Sequence, residues 1–367
     1  MVTDLWIKPR SIFSRLGAGQ RLRERFHSEL LEARVLAPNA SMLGFEVLAR
    51  IRKLTGWNLT HKRNTYFQNK AIECLESQNL PDGPQVTLFS YSYAALELFL
   101  YAKSRGWKTA LGQIDPGPEE ERIVAEEHVR YAEIPSTWKP APSSYWESWR
   151  KEIDLADRIV INSDWSRQCL LKEGVPENKL EIVPLVYDGR ICASEMEDAR
   201  HAKPVILNSA VTRVLFLGQI NLRKGMGRLL DAMRLLRNQP IELLLVGPSE
   251  LPQSSWSDLP SVKWLGAVSR SRVANCFQMA DVFVLPTLSD GYAIAQLEAM
   301  SHGLPVISSR YCGQAVTHGV NGMILEDLKP ATIANAMLSA RATAFSNVRP
   351  AAFGLVDLAK VFMTDLK

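Results

Sequence analysis

The sequence predicts an α/β chain of two doubly wound domains, with parallel sheets facing a central cleft. Three observations lead there. At 367 residues the chain is too long for one ordinary core. From Val214 onward, short apolar runs alternate with helical patterns, as in a parallel sheet covered on both faces. The first half repeats that rhythm, and residues 188–210 are polar and irregular, as a linker would be.

In the first half, apolar runs fall at 33–37, 85–89, 108–114, 158–161 and 181–186, with a helical pattern over 94–105. Residues 1–30 hold no clean apolar strand, although a doubly wound domain usually opens with one. Either the first strand is irregular, or Met1 lies downstream of the true start. In the second half the runs are 214–217, 241–246, 262–265 and 281–285. Amphipathic stretches at 227–237 and 272–279 separate them. Residues 289–309, SDGYAIAQLEAMSHGLPVISS, then read as a helix followed by a buried strand at 306–309. Ligands of such sheets bind beyond the carboxyl ends of the strands.

Composition excludes several classes. With 46% hydrophobic and 22% charged residues the chain is of soluble globular type, and no window approaches a membrane-spanning length. The N-terminus lacks a signal-peptide core, so the cytoplasm is the expected compartment. The net charge of +4 is too mild to argue for nucleic acid. Lys8, Arg10, Arg15, Arg21, Arg23 and Arg25 form either a solvated face or one that touches anionic lipid or an anionic substrate. The five cysteines make no CxxC pair and the six histidines are scattered, so no metal site is expected.

Gly17-Ala18-Gly19 fails as a dinucleotide fingerprint, since no strand precedes it and Leu22 replaces the third glycine. No phosphate-binding GxxxxGK[ST] loop and no GxSxG elbow occurs. The loop 218–225, GQINLRKG, joins a strand to a helix. It puts Arg223 and Lys224 near a helix N-terminus, where two cations are unfavourable unless an anion joins them. It is either a phosphate site or an exposed basic loop.

In the stretch from 289, Asp290 fits a helix N-cap, and Gly291 lets backbone approach a ligand. Gly303 and Pro305 end the helix. Glu298 lies among Ala293, Ala295, Leu297, Ala299 and Met300. It is either a buried acid with a partner or part of an exposed stripe with Gln296 and His302. Eight residues of helix span about 12 Å. The two acids therefore cannot share a proton or a metal, but could grip two ends of a nucleotide-sugar.

These elements, in order, resemble the retaining, family-4 type of GT-B glycosyltransferases (glycosyl transferases group 1). The resemblance rests on Gly218…Arg223-Lys224-Gly225, Val246-Gly247, Leu265-Gly266, Ala280-Asp281-Val282-Phe283-Val284-Leu285-Pro286 and the stretch from Ser289. Ala156-Asp157-Arg158-Ile159-Val160-Ile161-Asn162-Ser163 and Leu180-Glu181-Ile182-Val183-Pro184 extend it, so that it covers roughly 105–330. It implies a GT-B fold with an acceptor-side domain at 1–190, a donor-binding domain at 205–350 and a crossover helix within 351–367.

The resemblance also implies site roles. Glu298 matches the second glutamate of the family's paired-glutamate signature, which binds the ribose. Asp290 stands at the first, near the donor sugar, and is the leading catalytic candidate. Gly291, Tyr292, Ala293 and Ile294 would offer backbone N–H groups to sugar and phosphate. Lys224 matches the diphosphate-binding lysine. Gly218 and Gln219 share its loop, Gln219 standing where an arginine is usual and Arg223 substituting from nearby. Ile114 takes the place of a histidine near the reaction centre, leaving Asp115 as the second catalytic candidate.

The implied activity is transfer of a hexosyl unit from a nucleotide-diphosphate sugar, with retention, to a hydroxyl of a glycan or lipid-linked acceptor. Polysaccharide or glycolipid assembly is the expected setting, without metal or resident cofactor. Peripheral contact at the inner membrane face is a further expectation. The competing readings are a non-catalytic GT-B binding protein and an acceptor-independent sugar-nucleotide enzyme such as an epimerase.

Overall fold

The computed structural model describes residues 1–6, 28–185, 211–343, 345 and 348. The basic residues between Lys8 and Arg25, the Gly17-Ala18-Gly19 motif, the linker 188–210 and the expected crossover helix lie outside the described residues.

The described chain divides into two compact units. The first comprises 1–113, 141–160 and 178–180; the second comprises 114–140, 161–177 and everything from 181 onward.

The first unit begins with helices α1 (Asn39–Ile51) and α2 (Gly56–Glu76). A sheet follows with β1 (Thr87–Tyr91), β2 (Lys108–Gln113), β3 (Arg158–Ile161) and β4 (Leu180–Ile182) in that order. β1 and β2 run parallel, with Thr87 opposite Lys108 and Tyr91 opposite Gly112. Helices α3 (Leu96–Ser104) and α5 (Ser143–Leu155) pack together and bury Phe99, Trp149 and Ile153. Glu152, a buried acid in this core, accepts backbone N–H bonds from Tyr93, Ala95 and Leu96 at 2.7–3.1 Å, which satisfies its charge where water cannot.

The expected strand at 33–37 does not form. Among the described residues Leu36 makes only an isolated bridge to Val2, exchanging bonds with Met1 and Thr3. Ala33 is exposed and Val35, Leu36 and Ala37 are only half-buried, so the run is not covered on both faces as a sheet strand is. Between β2 and β3 lies α4 (Pro118–Arg130), which belongs to the second unit, as does α6 (Asp164–Lys172). Ser163 caps α6 by accepting the Ser166 N–H at 3.1 Å.

The second unit carries six parallel strands in the order β10-β9-β8-β5-β6-β7. These are β5 (Thr212–Leu217), β6 (Ile241–Val246), β7 (Val262–Trp264), β8 (Val282–Leu285), β9 (Val306–Ser309) and β10 (Gly322–Leu325). The chain winds from β5 through β6 to β7, then returns to the other side of β5 for β8 and winds outward again. That reversal makes the β5–β8 junction the topological switch point.

Alternation along β5 shows why it is central. Val214 and Phe216 enter one core with helices α7 (Met226–Leu235) and α10 (Pro330–Ala342). Leu215 enters the core on the opposite face with Phe277 of α8 (Arg270–Gln278) and Leu297 of α9 (Ala295–Ser301). Each fully buried side chain of this size contributes about 1.5–3 kcal/mol.

Candidate functional site

Two loops leave the switch point. The loop after β5, 218–225, turns into α7 through Gly225, whose φ of 75° is left-handed. A Cβ there would sit 1.9 Å from the Pro286 carbonyl oxygen, so only glycine lets this loop lie against the loop after β8. Hydrogen bonds join the two loops: Leu288 N–H donates to the Arg223 carbonyl at 2.9 Å, and Arg223 Nη1 to the Ser289 carbonyl at 3.2 Å. From beyond β9, Tyr311 accepts the Asp290 N–H at 3.0 Å and Ser309 donates its hydroxyl to the Thr287 carbonyl at 2.7 Å.

This packing brings the predicted cations and the first predicted acid together. Lys224 Nζ forms an ion pair with Asp290 Oδ2, both side chains largely buried. Arg223 Nη1 lies 3.7 Å from the same oxygen and 3.6 Å from Glu120 Oε1. The two cations at the start of α7 are thus balanced by the protein's own carboxylates, and the loop is not an exposed basic loop. A ligand phosphate here meets two cations, but must share Lys224 with Asp290.

Asp290 is not the helix N-cap. α9 starts only at Ala295, with Ile294 as its cap, because Ala293 takes a left-handed φ of 59° that interrupts the helical path. Most of the span from Asp290 to Glu298 is therefore loop, and a helical rise of eight residues does not describe their separation. The helix ends at Ser301, ahead of Gly303, as the sequence predicts.

Glu298 is half-buried on α9. Gln296, which would share an exposed stripe with it, is instead fully buried, donating to the carbonyls of Tyr292 and, at 2.8 Å, Gly313. Its Oε1 has no partner among the described residues.

The side of Gly291 where a Cβ would sit is closed by the protein itself. A Cβ on it would lie 2.0 Å from the Ile114 carbonyl oxygen and 2.6 Å from Asn162 Nδ2. Asn162 donates to that same carbonyl at 2.9 Å. Tyr292 buries its ring in the core against Gly313, Ala293 is half-buried, and Ile294 is exposed. Gly218 donates its N–H to the Val246 carbonyl at 2.9 Å, and the Gln219 side chain is engaged by Glu250. Asp115 accepts the Gly117 N–H at 2.9 Å, shaping the turn into α4.

Glu120, Asn162, Trp165 and Ser289 complete the cluster; Asn162 and Ser289 lie in stretches that carry the resemblance, but no motif marks Glu120 or Trp165. Trp165 Nε1 donates to Ser289 Oγ at 3.1 Å, and the Ser289 hydroxyl hydrogen-bonds Glu120. Burial pushes the Glu120 carboxyl up to about 7; Arg223 opposes that rise, and the charges of Asp115 and Asp290 add to it. In the sequence, Glu120 sits in Glu119-Glu120-Glu121 after Pro118, which reads as an ordinary acidic first turn.

α4 is held in place by its other end. Glu127, 1% exposed, takes a two-pronged contact from Arg228 of α7 at 2.7 and 2.6 Å. Tyr131 donates to Asp231 at 2.8 Å beside it. Among the described residues, no group of His, Cys, Asp and Glu could hold a metal ion.

Residues 211–342, which hold Arg223, Lys224, Asp290 and Glu298, match the family of glycosyl transferases group 1, so this part of the chain carries a glycosyltransferase group 1 domain. The amylovoran biosynthesis glycosyltransferase AmsK of Erwinia amylovora is 26% identical over 182 residues, 45% of this chain and 42% of that one. The chain spans about half the length of the curated relatives it matches. The crystal structure of Anabaena HepE in complex with UDP matches with a TM-score of 0.59 at 15% identity, covering 82% of this chain and 81% of that chain. Sucrose-phosphate synthase from Thermosynechococcus elongatus matches with a TM-score of 0.62 at 19% identity, covering 83% and 77%. The fold is thus the α/β, parallel-sheet fold of GT-B glycosyltransferases.

Proposed function

We propose that the chain is a retaining, metal-independent glycosyltransferase of the family-4 type, moving a hexosyl unit from a nucleotide-diphosphate sugar to an acceptor hydroxyl. The observation that carries this reading is the meeting of Arg223, Lys224 and Asp290 at the β5–β8 switch point. Arg223 and Lys224 hold the diphosphate and offset the charge that grows on it as the glycosidic bond breaks. When phosphate takes up Lys224, Asp290 is released to accept hydrogen bonds from the transferred sugar's hydroxyls. Glu298 accepts from the ribose hydroxyls, and backbone of 291–294 and Gly218 lines the path between them. Asp115 lies on the acceptor side.

The departing phosphate takes the acceptor's proton. The oxygen–carbon bond forms on the face from which the diphosphate leaves, which gives retention.

AmsK's role in amylovoran biosynthesis supports assembly of a polysaccharide or glycolipid, and the UDP held by HepE makes a uridine diphosphate sugar the first donor to try. No helix among the described residues is long and apolar enough to cross a membrane. Leu43, Val47 and Ile51 are exposed on α1, one or two turns apart, with Arg50, Arg52 and Lys53 exposed beside them. That face suits peripheral contact with an anionic bilayer on the cytoplasmic side. Its test is co-sedimentation with vesicles rich in phosphatidylglycerol, which Val47→Asp with Ile51→Asp should abolish.

A screen of nucleotide-sugars with release of nucleoside diphosphate as the readout tests the activity. Turnover that depends on an acceptor supports the reading. An isomerised donor with no released diphosphate, or no binding and no turnover, defeats it.

A further inference from the structure

One acid in the loop cluster is used by neither the motif nor the proposed mechanism. Glu120 stands in the first turn of α4, where its Oε2 is buried and has no hydrogen-bond partner among the described residues. Its other contacts are the Ser289 hydroxyl and, at 3.6 Å, Arg223 Nη1. A buried carboxyl oxygen left unpaired is costly, so it marks either a protonated group or a place for a ligand atom.

The groups that face Glu120 come from every neighbouring segment. Asp115 lies in the loop after β2, Arg223 in the loop after β5, Asp290 in the loop after β8, and Cys169 on α6. Lys224 reaches the cluster through Asp290, and Glu119 is turned toward Arg122 and Lys172. The Cys169 thiol is pushed up to about 12 by burial and stays neutral. With Glu120 ionised, three carboxylates would outnumber Arg223 and Lys224, and the net negative charge would repel an anion. With Glu120 neutral, two face two. Its carboxyl, pushed up to about 7 by burial, holds its proton below neutral pH and takes one up readily near it.

We propose that Glu120 is a donor-binding residue of this site, acting as a neutral carboxylic acid whose Oε2 donates a hydrogen bond to an anionic oxygen of the nucleoside diphosphate. A protonated carboxyl has one O–H to give, and bonds to anionic oxygens are the strong ones. The proton stays on Glu120 throughout. Above neutral pH, where free Glu120 is largely ionised, binding draws up to one proton from the buffer. The inference rests on the donor-site reading above.

The test is calorimetric titration of the full chain with UDP, and with GDP and ADP alongside, from pH 6 to 9. Two buffers of different ionisation enthalpy are used, and Glu120→Gln is measured at the same pH values so that the ligand's own ionisation cancels. Glu120→Gln keeps shape and a neutral donor. It should bind like the wild type at pH 6.5, stay roughly tenfold or more tighter at pH 8.5, and show less proton uptake. Glu120→Ala, lacking the donor, should be roughly tenfold weaker than Glu120→Gln at pH 6.5.

Parallel pH profiles for wild type and Glu120→Gln would overturn the inference. So would Glu120→Gln as weak as Glu120→Ala at pH 6.5, with thermal melts showing both folded. Lys224→Ala and Glu298→Ala separate the two readings. If both weaken binding while the Glu120→Gln profile stays parallel, the Glu120 inference alone fails. If neither changes affinity, or the chain binds none of the three nucleotides, the donor-site reading fails with it.

Discussion

Gly291→Ala distinguishes what that glycine is for. Were it kept for close approach of a ligand, the substitution would leave the unliganded protein unharmed and weaken binding alone. The structure says otherwise. The new methyl would lie 2.0 Å from the Ile114 carbonyl oxygen and 2.6 Å from Asn162 Nδ2, against an ordinary contact distance of about 3.5–4 Å. A backbone carbonyl cannot swing aside as a side-chain tip can, so the loop after β8 or the segment at Ile114 must move by more than an ångström. Overpacking of this kind costs about 1–3 kcal/mol. Moving Ile114 also strains its 2.9 Å bond from Asn162, worth about 0.5–1.5 kcal/mol. The expected loss is therefore about 2–4 kcal/mol in the ligand-free protein. Urea denaturation with tryptophan fluorescence would read it, since Trp165 is fixed to Ser289 two residues away. Unchanged ligand-free stability together with weakened nucleotide binding would refute the reasoning and return Gly291 to the ligand.

Other consequences follow from the same geometry. Asp290→Asn should cut sugar transfer strongly yet tighten nucleoside diphosphate binding several-fold, because Lys224 loses its competing carboxylate; calorimetry and turnover together check it. Lys224→Ala and Glu298→Ala should each weaken donor binding strongly, by roughly tenfold or more, as seen in binding isotherms. Glu127→Ala removes one partner of a buried pair and should cost about 3–5 kcal/mol in denaturant titration. Glu120→Gln should also change stability with pH. Burial raises the folded-state pKa to about 7 from an unfolded value near 4.3. The folded wild type then holds the extra proton across that window, so its stability falls as pH rises from about 4 to about 7 and stays lowered above it. The variant should match the wild type near pH 4 and exceed it at pH 8, by up to about 4 kcal/mol, in melts across pH.

Sequence legibility followed burial. Strands buried on both faces, such as 282–285 and 241–246, show as continuous apolar runs, and their ends came out within a residue or two. Short polar-flanked runs did not: 33–37 looked like a strand because four of its five residues are apolar, but among the described residues its one ladder contact is the bridge to Val2. The helix expected from Asp290 failed at Ala293, whose left-handed backbone is a tertiary outcome that alanine's helix preference argues against.

By itself the sequence determined the α/β class and the parallel strands of the second unit, and it singled out Arg223, Lys224, Asp290 and Glu298 as candidates, since period, apolar runs and residue type are local properties. Strand order was not local. Only the folded chain set β8 beside β5, made a switch point there, and so put Lys224 against Asp290, 66 positions apart in the chain. It also brought Glu120, from an ordinary acidic first turn, and Asn162, from the end of a distant strand motif, into that same cluster. Charge, burial and the missing partner of Glu120 Oε2 arise from groups far apart in the chain, which no one-dimensional pattern records.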